Sequence, residues 1–71
     1  MLMSNYETHL MSYRYEGAEI HVYRELDHLF FTTPLETHEY LLYDIKISDL
    51  KRDPILNDPI KNELLGILSY T

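Results

Sequence analysis

Four histidines are the residues of this 71-residue chain that are best suited to bind a metal ion. Neutral imidazole is a common ligand of zinc and nickel, and a carboxylate can join such a site. His28, His38 and Glu39 would form a His–His–Glu set if the segments that carry them pair. No HxH or HxxxH spacing places two histidines on one local element, so solvent-exposed histidines are the simpler interpretation.

The residue patterns that support catalysis are missing from the sequence. The serines lie in no nucleophile-elbow context, and the chain contains no cysteine. The two glycines, Gly17 and Gly66, are too far apart to form a phosphate-binding loop. A domain of this size also has difficulty enclosing a water-excluding pocket of about 300 Å³ or more. We therefore predict a protein that is not an enzyme and that needs no cofactor.

The charge of the chain favours a protein partner over a nucleic acid. Twelve acidic and six basic residues give a net charge of −6, spread along the chain without an acidic block. Direct binding to a phosphate backbone depends on Lys and Arg, so we do not expect it. An acidic surface suits a basic or nucleic-acid-binding protein, although simple solubility also explains a charge of this size.

Seven tyrosines support the prediction of a protein-binding surface. Tyrosine is enriched at interfaces because it combines a large contact area with few rotatable bonds and a polar tip. A core of this size cannot bury all seven, so several must lie at the surface. The candidate partner-binding residues combine acidic, histidine and tyrosine side chains: Glu19, His21, Tyr23, Glu25, Tyr40 and Tyr43.

A hairpin over residues 10–25 is the first element that would position these side chains. A two-residue turn at Glu16 and Gly17 sorts the flanking residues onto an apolar face and a polar face. Gly17 supplies the positive φ that such a turn needs. On the apolar face, Tyr15 pairs with Ala18, Tyr13 with Ile20 and Met11 with Val22, and His9 lies opposite Arg24 at the end. On the polar face, Arg14 pairs with Glu19, Ser12 with His21 and Leu10 with Tyr23.

The segment after the hairpin predicts a third strand over residues 28–33. Aromatic residues and threonines favour a strand here, and Leu29 and Phe31 would face the core. Phe30 and Thr32 would then lie on the opposite side of the sheet.

The next segment is ambiguous between helix and strand. Thr33 and Pro34 form a helix-start signal, whereas residues 43–48 alternate as a strand does. We predict a short helical turn or loop over residues 34–39, followed by a fourth strand over residues 40–47. The alternative is a longer helix with one face formed by Leu35, His38, Leu42 and Ile45.

The last third of the chain predicts helical structure. A helical turn capped by residues 48–49 would end before Pro54, because the residue before proline avoids the α region. Asp58 as N-cap would begin a final helix over residues 59–69, in which Gly66 would mark close packing on the sheet. The buried stripe of this helix would be Ile60, Leu64, Ile67 and Leu68.

These elements predict one α+β domain spanning residues 1–71, with residues 1–6 flexible. Its core would be a small antiparallel sheet of three or four strands, with the N-terminal hairpin turning at residues 16–17, packed by one or two C-terminal helices. The first strand, residues 9–16, would form a sheet edge that has no lysine or proline to protect it. An unprotected edge favours a homodimer or strand addition by a partner.

The sequence as a whole predicts a small acidic protein-binding regulator that is not an enzyme. No segment resembles a signal peptide or a membrane span, so we expect a cytoplasmic protein without membrane contact. In size and charge the chain is similar to the small acidic proteins that phages and mobile elements encode to block host enzymes. An inhibitor, an adaptor, an antitoxin-like protein or a nucleic-acid mimic would fit, and the alternatives are a histidine-based metal- or small-ligand-binding module and a structural subunit of a larger complex.

Overall fold

The computed structural model describes residues 6–70 and shows an α+β fold. A four-stranded antiparallel sheet has its strands in sequence order, and two helical elements follow it. The predicted combination of a small antiparallel sheet with C-terminal helical packing is confirmed. The elements are β1 (Thr8–Tyr15), β2 (Ala18–Glu25), β3 (His28–Leu35), β4 (His38–Lys46), a 3-10 helix (Ile47–Arg52) and α1 (Asp58–Ser69).

The expectation of flexible residues 1–6 falls mostly outside the described residues. Residues 1–5 are not among them. Tyr6 is described, and its ring stacks on Phe30 with the centroids 4.6 Å apart.

Two-residue turns connect the strands, and each begins with a residue in the left-handed region. The φ angles are 51° at Glu16, 56° at Leu26 and 59° at Glu36, and Gly17 follows with 83°. Such turns match the right-handed twist of paired strands. The predicted turn at Glu16 and Gly17 is confirmed, and glycine is the residue that adopts a positive φ without a steric penalty.

The predicted register of the first hairpin is confirmed over residues 11–22. A β-bulge at Leu10 then shifts the pairing by one residue, so that His9 lies opposite Tyr23. The predictions that Leu10 faces Tyr23 and that His9 faces Arg24 are therefore wrong. Because a bulge adds one residue to a strand, it moves His9 onto the same face of the sheet as Tyr23.

Each of the two edge strands carries a bulge. β1 is an edge, as predicted, and β4 is the other. Leu10 is the extra residue in β1, and Leu42 is the extra residue in β4. Bulges twist an edge away from flat pairing with another chain, so β1 has a protection that its composition does not reveal.

The predicted helical turn or loop over residues 34–39 is wrong. β3 continues to Leu35, and β4 begins at His38 after a two-residue turn. The ladder between β2 and β3 ends at Thr32, so the missing N–H of Pro34 is tolerated beyond that point. The predicted fourth strand is confirmed and starts two residues earlier, and the alternative helix through residues 35–45 does not form.

The core lies between one face of the sheet and the helices. Leu29 and Phe31 of β3 are buried, as predicted. Val22 adds to this layer from β2, while Leu50 of the 3-10 helix and Leu64 of α1 close it from the other side. Leu50 and Leu64 are completely buried, so these two residues attach the helices to the sheet.

α1 begins with a different N-cap from the predicted one. The Asn57 side chain accepts a hydrogen bond from the Ile60 N–H at 3.1 Å, so the prediction of Asp58 as N-cap is wrong. Asp58 lies in the first turn, where its negative charge interacts favourably with the helix dipole. Within residues 6–70, no helix has the length and the apolar character needed to cross a membrane. The predicted stripe packs against the core as expected, with Leu64 fully buried and Ile60, Ile67 and Leu68 partly buried.

Gly66 lies on the exposed side of α1, so the prediction that it marks close packing is wrong. A Cβ at this position meets no atom within 4 Å. Because alanine is favoured over glycine inside helices, Gly66→Ala should raise the free energy of unfolding by about 0.5–1 kcal/mol in urea denaturation. Gly17→Ala is the matched control: its Cβ also has open space, but the φ of 83° should make it destabilising. A loss of stability in Gly66→Ala would contradict this prediction.

Candidate functional site

The two faces of the sheet differ in how they are covered. The 3-10 helix and α1 pack on one face, here called the helix face. They leave uncovered the end of that face near the turns at residues 16–17 and 36–37. No helix within residues 6–70 packs on the other face, here called the open face.

A groove of about 620 Å³ lies at the uncovered end of the helix face. The sheet forms one wall, and the segment before α1 together with the first turn of α1 forms the other. The sheet wall consists of Tyr13, Tyr15, Ile20, Phe31, Leu42 and Tyr43, and the opposite wall consists of Pro54, Ile55, Leu56, Asn57 and Ile60.

The groove presents large apolar side chains to solvent. Ile55 is 67% exposed, Tyr15 is 56% exposed and Leu42 is 55% exposed. Scattered exposed apolar residues are normal, but contiguous apolar patches are typical of interaction sites. The groove is therefore a candidate binding surface for an apolar ligand or an apolar protein segment.

A hydrogen-bonded pair, Tyr43 and Asp53, holds the two walls of the groove together. The Tyr43 hydroxyl donates to Asp53 Oδ1 at 2.5 Å, and Asp53 Oδ2 accepts from the Leu56 N–H at 2.9 Å. Asp53 is only 3% exposed, so its carboxylate depends on these donors in place of water. The pair fixes the segment before α1 against β4.

The environment of this pair shifts the pKa of both groups. Burial alone would raise the pKa of Asp53, but hydrogen bonds from Tyr43 and from the N–H groups of Leu56 and Ile55, with the charge of Lys61, lower it below its ordinary value. Burial is the main cause that raises the pKa of Tyr43 to about 12. The hydrogen bond to Asp53 and the surrounding carboxylates act in the same direction.

The raised pKa of Tyr43 predicts a loss of stability at alkaline pH. The ordinary pKa of tyrosine is 10.0 and that of Tyr43 in the folded protein is about 12. The contribution of the neutral Tyr43 hydroxyl to folding stability is therefore complete below pH 10 and is lost as the pH rises towards 12. Wild type should be more stable than Tyr43→Phe by about 1.5 kcal/mol near neutral pH. Urea denaturation across the alkaline range should show this difference shrinking, and a constant difference up to pH 12 would contradict the prediction.

The open face carries a second cluster, centred on Tyr23. The Tyr23 hydroxyl donates to Glu39 Oε1 at 3.1 Å, and Thr32 Oγ1 donates to Glu39 Oε2 at 2.7 Å. Tyr6 lies over this cluster, with its ring centroid 5.5 Å from that of Tyr23. Glu39 of β4 is therefore tied to both β2 and β3, and Tyr23 is only 8% exposed.

A histidine pair lies beside Tyr23 on the open face. His21 Nδ1 is 3.3 Å from His9 Nε2, and His21 Nε2 is 2.9 Å from Glu19 Oε2. The ring of His9 meets the ring of Tyr23 edge-on at a centroid distance of 5.1 Å. The sequence predicted Glu19, His21 and Tyr23 on one face of the hairpin but placed His9 on the other, because it did not reveal the bulge at Leu10 that moves His9 onto this face.

The structure divides the predicted partner-binding residues between the two faces. Glu19 and His21 are in contact with each other, and Tyr43 is held by Asp53. The strand pairing places four of the six on the open face and two on the helix face: Glu19, His21, Tyr23 and Glu25, and Tyr40 and Tyr43, respectively. The six residues therefore do not form a single site.

The sequence-based prediction missed the exposed groove residues Leu42 and Ile55. Leu42 was assigned to a regular strand, whereas it is the extra residue of a bulge. Ile55 follows Pro54 in a loop. An isoleucine directly after a proline in a loop was the signal from which its exposure could have been predicted. Tyr15 was predicted to face inward and does lie on the helix face, but it is more than half exposed.

The predicted metal-binding set of His28, His38 and Glu39 is not brought together. His28 lies opposite Lys46 at one end of the β3–β4 ladder, and His38 lies opposite Leu35 at the other end. About 23 Å of extended strand separates the two histidines. Among residues 6–70, no group of three or more His, Asp or Glu side chains is arranged to hold a metal ion.

Comparison of the chain with protein-family models, with curated proteins and with solved structures gives no match. Function therefore has to be inferred from the chemistry of the groove and of the open face.

Proposed function

We propose that this chain is a small acidic regulator, without enzymatic activity, that binds a basic protein partner. The groove on the helix face takes an apolar segment of that partner. The observation that carries the proposal is the groove itself, with Tyr15, Leu42 and Ile55 each more than half exposed around a volume of about 620 Å³. Removing apolar surface from water contributes about 25 cal/mol per Å², so covering these side chains favours association.

The charges around the groove support the choice of a basic partner. Glu16 and Glu36 lie in the turns at the uncovered end of the sheet, and Asp58 lies next to the groove residue Asn57. All three carboxylates are exposed, and the chain as a whole has a net charge of −6. Complementary charge increases the association rate and disfavours acidic competitors. The partner segment would therefore carry apolar side chains flanked by Lys or Arg.

Affinity capture with groove variants tests this proposal. The double variant Leu42→Ser/Ile55→Ser removes two exposed groove side chains, while Leu26→Ser and Tyr70→Ser remove exposed apolar side chains that do not line the groove. Wild type and both controls should capture the same partner from cells of the native host, and the double variant should lose it. Circular dichroism checks that each variant is folded. Equal capture by the double variant would overturn the groove as the binding site.

An inhibitor that imitates nucleic acid is the more specific form of this proposal. If the partner binds nucleic acid through the same basic surface, added DNA or RNA should displace the chain from the captured complex. Raising the salt concentration should weaken the complex, because screening reduces charge attraction. Displacement would indicate an inhibitor of a nucleic-acid-binding protein, whereas no displacement would indicate an adaptor.

Homodimerisation through β1 is a separate proposal that rests on the edge position of this strand. The bulge at Leu10 disturbs one part of the edge, and the regular pairing over residues 11–15 leaves the rest extended. Light scattering of the purified chain tests it. A monomer at high micromolar concentration would show that the edge is adequately protected.

A further inference from the structure

We infer that His9 and His21 bind a divalent transition-metal ion, such as Zn²⁺, on the open face of the sheet. This site is separate from the groove and differs from the His28–His38 set suggested by the sequence. The bulge at Leu10 creates it, because regular pairing would place Leu10 rather than His9 on this face.

The spacing of the two nitrogens fits one edge of a zinc tetrahedron. His9 Nε2 and His21 Nδ1 are 3.3 Å apart. Zinc binds histidine nitrogen at about 2.0–2.1 Å, so two ligand nitrogens at the tetrahedral angle are separated by about 3.3–3.4 Å. His9 is exposed, and its ring can turn to direct the Nε2 lone pair at the ion. The same 3.3 Å contact is a hydrogen bond between the two side chains in this structure. Zinc takes the place of the shared proton, and that proton moves to His9 Nδ1 as the exposed ring adjusts.

Glu19 prepares His21 for this role. A carboxylate only accepts hydrogen bonds, so His21 Nε2 donates its N–H to Glu19 Oε2 at 2.9 Å. In the neutral imidazole the lone pair is then on Nδ1, the atom that points towards His9. A carboxylate that holds the second ring nitrogen of a metal ligand is the usual outer-shell arrangement of protein zinc sites.

The surroundings leave room for the rest of the coordination shell. The His21 side chain is 22% exposed and that of Glu19 is 45% exposed, so solvent reaches the pair. Within residues 6–70 the chain supplies two imidazoles without a third protein ligand, and water completes the shell of four. Tyr23 forms the apolar floor, with its ring centroid 5.1 Å from that of His9.

Zinc titration of tag-free protein tests the inference. The chain has four histidines, of which two belong to the proposed site and two lie outside it. His9→Ala and His21→Ala each remove a proposed ligand, while His28→Ala and His38→Ala each remove a histidine outside the site. Calorimetry should give one Zn²⁺ per chain for wild type and for both controls. Loss of either proposed ligand should weaken binding by about tenfold or more, and Glu19→Gln should weaken it by about 10- to 100-fold.

Two further measurements detect zinc binding by means other than the heat of titration. Zinc should raise the melting temperature of wild type by binding to the native state, and chelation should reverse the shift. Nitrogen NMR of the rings should identify His9 Nε2 and His21 Nδ1 as the coordinating atoms. The inference is overturned if a large excess of zinc gives neither heat nor a shift in melting temperature. It is also overturned if the control variants lose zinc as strongly as His9→Ala and His21→Ala do.

Discussion

Replacing Leu64 by alanine is expected to leave the protein largely unfolded. Leu64 is completely buried and attaches α1 to the sheet. Such a truncation costs about 2–5 kcal/mol in lost burial and cavity formation. A core of this size supplies only about 3–5 kcal/mol of net stability, so the loss is comparable to the whole. Thermal melts followed by circular dichroism should show no cooperative transition, or one at a much lower temperature.

Leu65→Ala is the matched control for this prediction. It removes the same atoms from the neighbouring position of α1, where the side chain is only partly buried. Its transition should remain cooperative, with a smaller decrease in melting temperature. Equal effects of the two substitutions would contradict the way in which α1 packs on the sheet.

Replacing Asp53 by alanine is expected to destabilise the protein by about 3 kcal/mol. The substitution removes the acceptor for the Tyr43 hydroxyl and for the Leu56 N–H, and it leaves both donors without their partner. The segment before α1 then loses its attachment to β4, and the groove loses one of its walls. Urea denaturation measures the stability, and affinity capture should show weaker partner binding by the folded fraction.

Asp53→Asn separates the charge of this residue from its shape. The amide keeps an acceptor oxygen, so the loss should be smaller than for alanine. Because the folded pKa of Asp53 lies below the ordinary value of 3.8, its stabilising effect is present above that pH and is lost as the pH falls below it. The stability difference between wild type and Asp53→Asn should shrink in that acid range. A difference that does not change with acid pH would contradict the role assigned to the charge.

The first hairpin and the core were predictable because local patterns determine them. Gly17 at the turn and alternation over residues 11–22 allow one register with a consistent apolar face. Leu29 and Phe31 follow from the same alternation in β3. The apolar stripe of α1 follows from its helical spacing, although its N-cap is displaced by one residue because Asn57 and Asp58 are both good caps.

The remaining features depend on tertiary context that the sequence pattern does not encode. The bulges at Leu10 and Leu42 carry no glycine to reveal them, and they decide which side chains share a face. Glu36 adopts a left-handed conformation that its residue type disfavours. The turn before β4 therefore could not be predicted from the residue types at residues 36–37. The histidine pair depends on the bulge at Leu10, and the groove includes the bulged residue Leu42, so the candidate sites were harder to predict than the fold.

Site-specific photo-crosslinking in cells of the native host tests the groove most directly. A photoreactive phenylalanine analogue replaces Ile55 in the groove, Ser12 on the open face, or Leu26 in the turn at the opposite end of the sheet. All three positions are exposed, so each probe is accessible and disturbs the core little. We expect a specific covalent adduct with one protein from position 55 and none from position 26. An adduct from position 12 with none from position 55 would contradict the groove as the partner-binding surface.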